Sequence, residues 1–270
     1  MKDRRIEERI LKSIKRISKA EQKLARGEIG EDEVRVFICH CLIEKGLRTR
    51  DKVNPWKTLR NLARKGSDFL HIVAEVEQRH PLQPDIDILF YDNREKCLHA
   101  VELKYFAPYK GRTRLSYYEG IDEALALLLY GVDYAHLWHF FIRDVPDTAY
   151  HYSEIVLRYA KAVKNLVEGL DLPIGYEART VWIEEERKGL SYGKHYKNYK
   201  LAFSDALIKL NPRRNPFLLE EARSEILSLS EDLKRYQMSI HPASQPLSRI
   251  FLTRLWWEVQ GQQLFFPLTL

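Results

Sequence analysis

The chain has 270 residues, of which 45% are hydrophobic and 30% are charged, a composition that is ordinary for a soluble globular protein. This length is enough for one sizeable core with additions or for two small domains. The formal net charge is +6, which favours polyanionic partners.

The cysteines and the apolar segments exclude several classes of protein. Cys39, Cys41 and Cys97 form an odd and sparse set, which argues against a disulfide framework and against a four-cysteine iron–sulfur site. No signal peptide is visible, and the most apolar stretch, 124–130, is too short to span a bilayer. We therefore expect a cytoplasmic protein without a membrane partner. High charge with few methionines and cysteines is typical of a heat-adapted source.

Two helices are predicted in the most basic part of the chain, where residues 1–60 carry 17 Lys and Arg against 10 Asp and Glu. Over residues 4–26, aliphatic residues recur at helical spacing between basic ones, which predicts an amphipathic helix that Gly27 and Gly30 end. A second helix is predicted over about residues 31–45, up to Gly46.

A β-hairpin is predicted next. Residues 84–91 alternate polar residues with Ile86, Ile88 and Phe90, as a strand does. The segment 92–95, Asp-Asn-Arg-Glu, has turn composition. Residues 97–105 then return as a second strand, so the two strands are expected to pair in antiparallel orientation.

Helices and strands alternate beyond the hairpin. The pattern predicts a helix over 117–130, a strand over 136–142, a helix over 151–168 and a strand over 176–183. His136 and His139 are three apart on a predicted strand, so we expect them to face opposite sides and to be packing residues. This order of elements predicts an α/β fold, a mixed central sheet flanked by helices.

The C-terminal part follows a breaker cluster of two Asn-Pro pairs at 211–216. Apolar residues stepping by three and four predict a helix over 217–237 with a narrow seam. The tail, 249–270, is rich in aromatic residues and is interpreted as a hairpin about 260–262.

The predicted hairpin carries the residues that point to chemistry. Asp85 and Asp87 are two apart, as are Glu102 and Lys104, so each pair is expected to share one face of its strand. Both pairs lie among apolar residues, where charges are costly unless they are paired or bound to metal. Hard oxygen ligands favour Mg²⁺ or Mn²⁺, and such an ion supports hydrolysis of phosphodiester bonds.

The sequence Pro84-Asp85, followed by Val101-Glu102-Leu103-Lys104, resembles the PD-(D/E)xK signature of the restriction-endonuclease-like nuclease superfamily. This superfamily includes restriction enzymes, Holliday-junction resolvases and DNA-repair nucleases. The resemblance spans roughly residues 31–185. With the breaks at Gly27, Gly30 and 211–216, we expect an N-terminal helix over 1–30, a nuclease-like core over 31–210 and a C-terminal extension over 211–270.

The resemblance implies a Mg²⁺-dependent nuclease that acts on nucleic acid, in the first place DNA. Its expected catalytic and metal-binding residues are Asp85 or Asp87, together with Glu102 and Lys104. The proline favours Asp85, and the shorter spacing to Glu102 favours Asp87. Duplex, branched and single-stranded DNA and RNA all stay open as substrates, because no base-reading motif is evident.

Members of the superfamily also carry polar residues on the helices around the hairpin. In the preceding helix Glu31 and Glu33 are the candidates, and Glu31 is preferred because it is in register with inward-facing aliphatic residues. In the following helix Glu123 stands where the superfamily commonly has Gln. Phosphate contacts are expected from the segment before this helix and from its start, at Lys110, Arg112, Arg114 and Tyr118.

Two other interpretations remain open. The carboxylates and Lys104 can form an ion-paired sheet surface, or the chain can be a non-catalytic nucleic-acid-binding or assembly protein on the same fold. We also expect a homodimer built partly on residues 217–270, because the seam and the aromatic tail leave surplus apolar surface. The alternative is that this segment packs against the helix predicted over 4–26.

Overall fold

A computed structural model describes residues 16, 19–55, 85–107, 119–143, 149–189, 195–218, 220, 223–224 and 226–227. The helices are α1 (Glu31–Glu44), α2 (Ile121–Leu127), which a 3₁₀ turn (Leu128–Tyr130) continues, and α3 (Ala149–Gly169). The strands are β1 (Arg48–Val53), β2 (Ile86–Asp92), β3 (Cys97–Phe106), β4 (Tyr134–Ile142), β5 (Gly175–Gly189), β6 (His195–Phe203) and β7 (Ile208–Leu210).

The strands form one mixed sheet in the order β1-β2-β3-β4-β5-β6, with β7 also pairing with β5. Strands β3, β4 and β5 run parallel, and the remaining pairs are antiparallel. The two parallel connections contain α2 and α3, since parallel neighbours need a crossover. The prediction of an α/β fold with a mixed sheet and a β2–β3 hairpin is confirmed.

Both faces of the sheet are covered. On one face α2 and α3 pack over a first core that includes Leu98, Ala100 and Phe141. On the other face α1 packs over a second core that includes Ile88, Phe90 and Val101. Burying each large side chain of this kind contributes about 1.5–3 kcal/mol, so helices on both faces stabilise the central strands.

Among the boundaries that differ from the prediction, three bear on the site or on the sheet. Strand β2 begins at Ile86, two residues later than expected, so Asp85 precedes it. Helix α2 begins at Ile121, because Gly120 has φ of +80°, outside the helical region. Strand β5 extends to Gly189, well beyond the expected end at 183, because it pairs with β6, a strand that the apolar pattern did not predict.

Parts of both terminal segments pack on the chain's own cores. Residues 19–24 are helical, and Ala20 and Leu24 are buried in the second core. Ile226 is fully buried in the first core, and Arg223 Nε lies 2.9 Å from an Asp133 carboxylate oxygen. Most of the predicted 4–26 and 217–237 helices, and all of the 249–270 tail, lie outside the described residues, so the homodimer stays a prediction. None of the described helices is both long and apolar enough to cross a membrane.

Candidate active site

Two backbone N–H groups of β3 donate hydrogen bonds to carboxylates, at the point where β3 is no longer paired with β2. That pairing ends at Ile88 opposite Val101. Beyond it, the Leu103 amide donates to Asp87 Oδ2 at 3.0 Å, and the Tyr105 amide donates to the carboxylate of Glu31 from the start of α1. Each buried amide needs an acceptor, so this local break in the ladder draws both acidic side chains to the edge of β3.

Glu102 and Lys104 lie on one face of β3, as their spacing predicts. The Lys104 ammonium lies 2.8 Å from Glu102 Oε1 and also contacts the Glu123 carboxylate of α2. Glu102 is only 4% exposed. A Cβ at position 120 would lie 3.1 Å from the Lys104 side chain and 2.7 Å from Leu137 Cδ1, so the glycine lets the start of α2 approach this lysine.

The residues around Lys104 form one electrostatic unit, which we call the acidic cluster. Its carboxylates are Glu31, Asp87, Glu102 and Glu123. Two cations face them, Lys104 and Arg35, so the formal excess is two negative charges. Such an excess in a buried setting is costly unless a proton or a cation offsets it.

Burial and the neighbouring negative charges raise the pKa values of several acids in the cluster. Burial, a hydrogen bond with Glu123 and the charge of Asp87 raise the pKa of Glu102 to about 9. Burial also raises the pKa of Asp87 and of Glu31. Glu102 therefore keeps a proton at neutral pH when no cation is bound. Burial acts to lower the pKa of Lys104, but its bonds to the two glutamates outweigh burial and raise it, so this amine is charged.

Arg35 is a member of the site that the sequence did not single out. It lies one helical turn after Glu31, is 2% exposed, and donates from Nη1 to Asp87 Oδ1 at 3.0 Å. It also bonds to Asp32 at the exposed side of the helix. The sequence did offer one signal for Arg35. It is a basic residue on the inward side of the predicted helix, four residues after the acid Glu31.

The sequence left two choices open, between Asp85 and Asp87 and between Glu31 and Glu33. The structure places the two members of each pair in different surroundings. Asp87 is 8% exposed and belongs to the acidic cluster, whereas Asp85 is exposed and precedes β2, so strand alternation does not align it with Asp87. Glu33 pairs with Lys23 at 2.6 Å, and Glu31 is the glutamate beside Asp87. The expected phosphate-binding residues lie outside the described residues: Lys110, Arg112, Arg114 and Tyr118.

The two histidines of β4 face opposite sides of the sheet, as predicted. His139 Nδ1 is bonded to the Tyr176 hydroxyl at 3.2 Å within the first core. His136 Nε2 lies 3.0 Å from His99 Nδ1 on the other face. Burial lowers the pKa of His139 to about 3, so it is neutral and serves packing.

The donor set of the acidic cluster suits a hard divalent cation, because it is made of carboxylate oxygens and has an excess of negative charge. Within the part of the chain that the structure describes, however, no three His, Cys, Asp or Glu side chains form a group arranged to hold a metal ion as they stand. The ammonium of Lys104 and the guanidinium of Arg35 now contact Glu102 and Asp87. Metal binding thus requires side-chain rotation within the cluster.

Comparison with known proteins adds no family assignment, since no family model, no curated protein and no solved structure matches this chain.

Proposed function

We propose that the protein is a metal-dependent nuclease of the PD-(D/E)xK type, which hydrolyses phosphodiester bonds with DNA as the expected substrate. The observation that carries this proposal is the acidic cluster around Lys104. Its acids come from the start of α1, from β2, from β3 and from α2, and meet where the β2–β3 pairing ends. The restriction-endonuclease-like fold is part of the proposal, supported by the mixed sheet with a helix before the hairpin and another after it.

Asp87, Glu102 and Glu31 are the residues proposed to hold Mg²⁺ or Mn²⁺. The ion would offset their shared excess of negative charge. The raised pKa of Glu102 supports this role, because a glutamate that retains its proton lies where more positive charge would be favourable. When bound, the ion supplies charge stabilisation at the phosphate and lowers the pKa of a water molecule.

Lys104 is proposed to act as a cation rather than as a base. Its bonds with Glu102 and Glu123 raise its pKa and keep it protonated, and they also direct the ammonium into the cluster. A fixed positive charge beside the scissile phosphate stabilises the charge that develops during attack. In the net reaction, water gives its hydroxyl to phosphorus and its proton to the leaving sugar oxygen, as one P–O bond forms and another breaks.

A second candidate is a non-catalytic nucleic-acid-binding or assembly protein. The specific observation in its favour is the bond between Arg35 and Asp87, at 3.0 Å with both residues buried. Together with the contact between Lys104 and Glu123, it already compensates two of the carboxylates without a metal. In this alternative the cluster is a structural ion-pair network that joins α1 to the sheet.

A cleavage panel with a matched pair of variants tests the proposed function. Plasmid, branched DNA, single-stranded DNA and RNA are incubated with Mg²⁺ or Mn²⁺, and with EDTA as control. Asp87→Asn should abolish cleavage, because it removes a proposed ligand, while Asp85→Asn should retain it, because Asp85 is exposed outside the cluster. Absence of metal-dependent cleavage of every substrate would favour the non-catalytic alternative.

A further inference from the structure

A cavity lies on the α1 face of the sheet, away from the acidic cluster. Its volume is about 630 Å³, within the range of about 300–1,000 Å³ that is typical of small-molecule sites. It lies between the C-terminal end of α1, the β2–β3 turn and β7. Its wall residue His99 and the cluster residue Glu102 are three apart on β3, so they face opposite sides of the sheet and lie about 10 Å apart along the strand.

A row of aromatic rings forms one wall of this cavity. Phe90, His99 and Tyr134 are direct neighbours across β2, β3 and β4. The rings of Phe90 and His99 stack with centroids 4.6 Å apart and planes 3° apart, and those of His99 and Tyr134 stack at 5.0 Å. Trp138 also lines the cavity. Phe90 and His99 stack on each other and Tyr134 ends the row, so a flat aromatic ligand can extend the row by offset stacking on Tyr134.

His99 adds a polar group that its own surroundings leave unsatisfied. The residue is 2% exposed, and its Nδ1 lies 3.0 Å from His136 Nε2. Its Nε2 has no hydrogen-bond partner in the part of the chain described. A buried nitrogen without a hydrogen bond is unfavourable, and a small rearrangement toward a ligand edge that carries donors and acceptors would satisfy it.

The charges at the cavity favour an anionic group on the same ligand. Four cations line it: Lys45, Arg94, Lys209 and Arg214. Three carboxylates also line it, Asp92, Glu95 and Glu177, so the cations exceed the anions by one. Glu177 is in addition paired with Arg179, which does not line the cavity. The Arg214 side chain is 69% exposed and lies 3.9 Å from a carboxylate oxygen of Asp133, so it can turn to an incoming anion.

We propose that this cavity binds a nucleotide, with the base on the aromatic wall near Tyr134, its edge at His99, and its phosphate held by Arg214 and the neighbouring cations. A nucleotide combines a flat π surface, donors and acceptors at one edge, and a phosphate, which are the three features that the wall, His99 and the cations match. The ligand is either a free mononucleotide or the terminal nucleotide of a strand. The site is independent of the acidic cluster.

Calorimetry on the full chain with AMP, GMP, CMP and UMP tests this proposal. We expect saturable one-to-one binding with Kd below about 1 mM for at least one of them. Arg214→Ala should weaken it by about tenfold, equivalent to about 1.4 kcal/mol. Arg158→Ala is the matched control, because that side chain is 82% exposed on α3 and outside the cavity. Tyr134→Leu provides a second test, since it removes a stacking ring from a half-buried position. Circular dichroism verifies that each variant is folded.

Several outcomes would overturn the proposal. These are no binding of any nucleotide, equal binding of inorganic phosphate or of the nucleoside alone, or binding that survives both cavity variants. Loss of binding in Lys104→Ala would instead place the nucleotide at the acidic cluster. If binding is found, competition by a 5′-phosphorylated dinucleotide shows whether the ligand is a free mononucleotide or the terminal nucleotide of a strand. Stronger competition than by the mononucleotide indicates a strand end, and weaker competition indicates a free nucleotide.

Discussion

The Lys104 ammonium lies 2.8 Å from the Glu102 carboxylate, two residues away on β3, and Glu123 approaches the same ammonium from α2. The lysine is thus held between two acids from different elements. This arrangement fixes its position more firmly than a pair within one strand would, because the side chain is restrained from two directions. It also places a permanent cation among carboxylates that together carry excess negative charge.

Replacing Lys104 tests its role directly. Lys104→Ala should lower kcat by about 10²–10³, the loss typical of removing one preorganised stabilising group, with little change in affinity for nucleic acid. Single-turnover cleavage and a binding titration in Ca²⁺ separate the two effects. Lys161→Ala on the exposed side of α3 is the matched control and should cleave at the wild-type rate. Unchanged cleavage by the Lys104 variant would rule out the lysine as a participant.

Glu102 should make the stability of the metal-free protein depend on pH. Its pKa is about 9 in the folded chain, against 4.5 as the ordinary value, because it is buried beside other acids. Between these values the folded state holds a proton that the unfolded state lacks, so the free energy of unfolding falls as pH rises, by at most about 1.4 kcal/mol per pH unit. Urea unfolding in EDTA at pH 5, 7 and 9 measures this slope.

Glu102→Gln is the variant that isolates this contribution. The amide is always neutral, so the slope between pH 5 and 9 should flatten relative to the wild type. The variant should also be the more stable of the two at pH 9, because the wild type loses stability from pH 4.5 up to its folded pKa and the amide does not. An identical slope in both proteins would show that Glu102 does not hold the proton.

Metal binding should release a proton. A divalent cation binds the ionised carboxylate, whereas Glu102 is protonated at pH 7 in the metal-free chain because of its burial, its bond to Glu123 and its raised pKa. Mg²⁺ or Mn²⁺ titrations in buffers of different ionisation enthalpy should therefore report close to one proton released per ion. Affinity should rise with pH up to about 9. Buffer-independent heats would mean that the ion does not reach Glu102.

Gly120 should control the position of Lys104. Gly120→Ala places a methyl group 2.7 Å from Leu137 Cδ1 and 3.1 Å from the Lys104 side chain, at φ of +80°. We expect lower kcat as well as lower stability, because the lysine must shift. Gly46→Ala is the matched control, since Gly46 has φ of +84° but nothing within 4 Å of the added Cβ.

The two glycine variants share the backbone penalty, about 1–2 kcal/mol for a non-glycine residue in the left-handed region. The difference in stability between the two variants therefore measures the effect of the added methyl group's contacts at position 120. Thermal melts should show Gly120→Ala to be the less stable variant, and cleavage should be impaired in Gly120→Ala only. Equal cleavage by both variants would mean that α2 can move away from Lys104 without cost.

The sequence by itself determined the hairpin, the alternation of helices and strands after it, and the pairing of Glu102 with Lys104. These depend on local periodicity, because side chains two apart on a strand share a face wherever the strand lies. The same rule placed His136 and His139 on opposite faces. It could not define β6 and β7, because their residues lack a clear apolar alternation and become strands by pairing with β5.

Only the tertiary structure decided which acids meet. The sequence left both Asp85 and Asp87 open as ligands. In the structure the registered β2–β3 ladder ends at Ile88 opposite Val101, and the buried amide of Leu103 takes Asp87 as its acceptor. Arg35 joins the site because α1 packs against β2 and β3 there. These partners are up to 52 residues apart in the chain, and packing between elements brings them together, which no local pattern encodes.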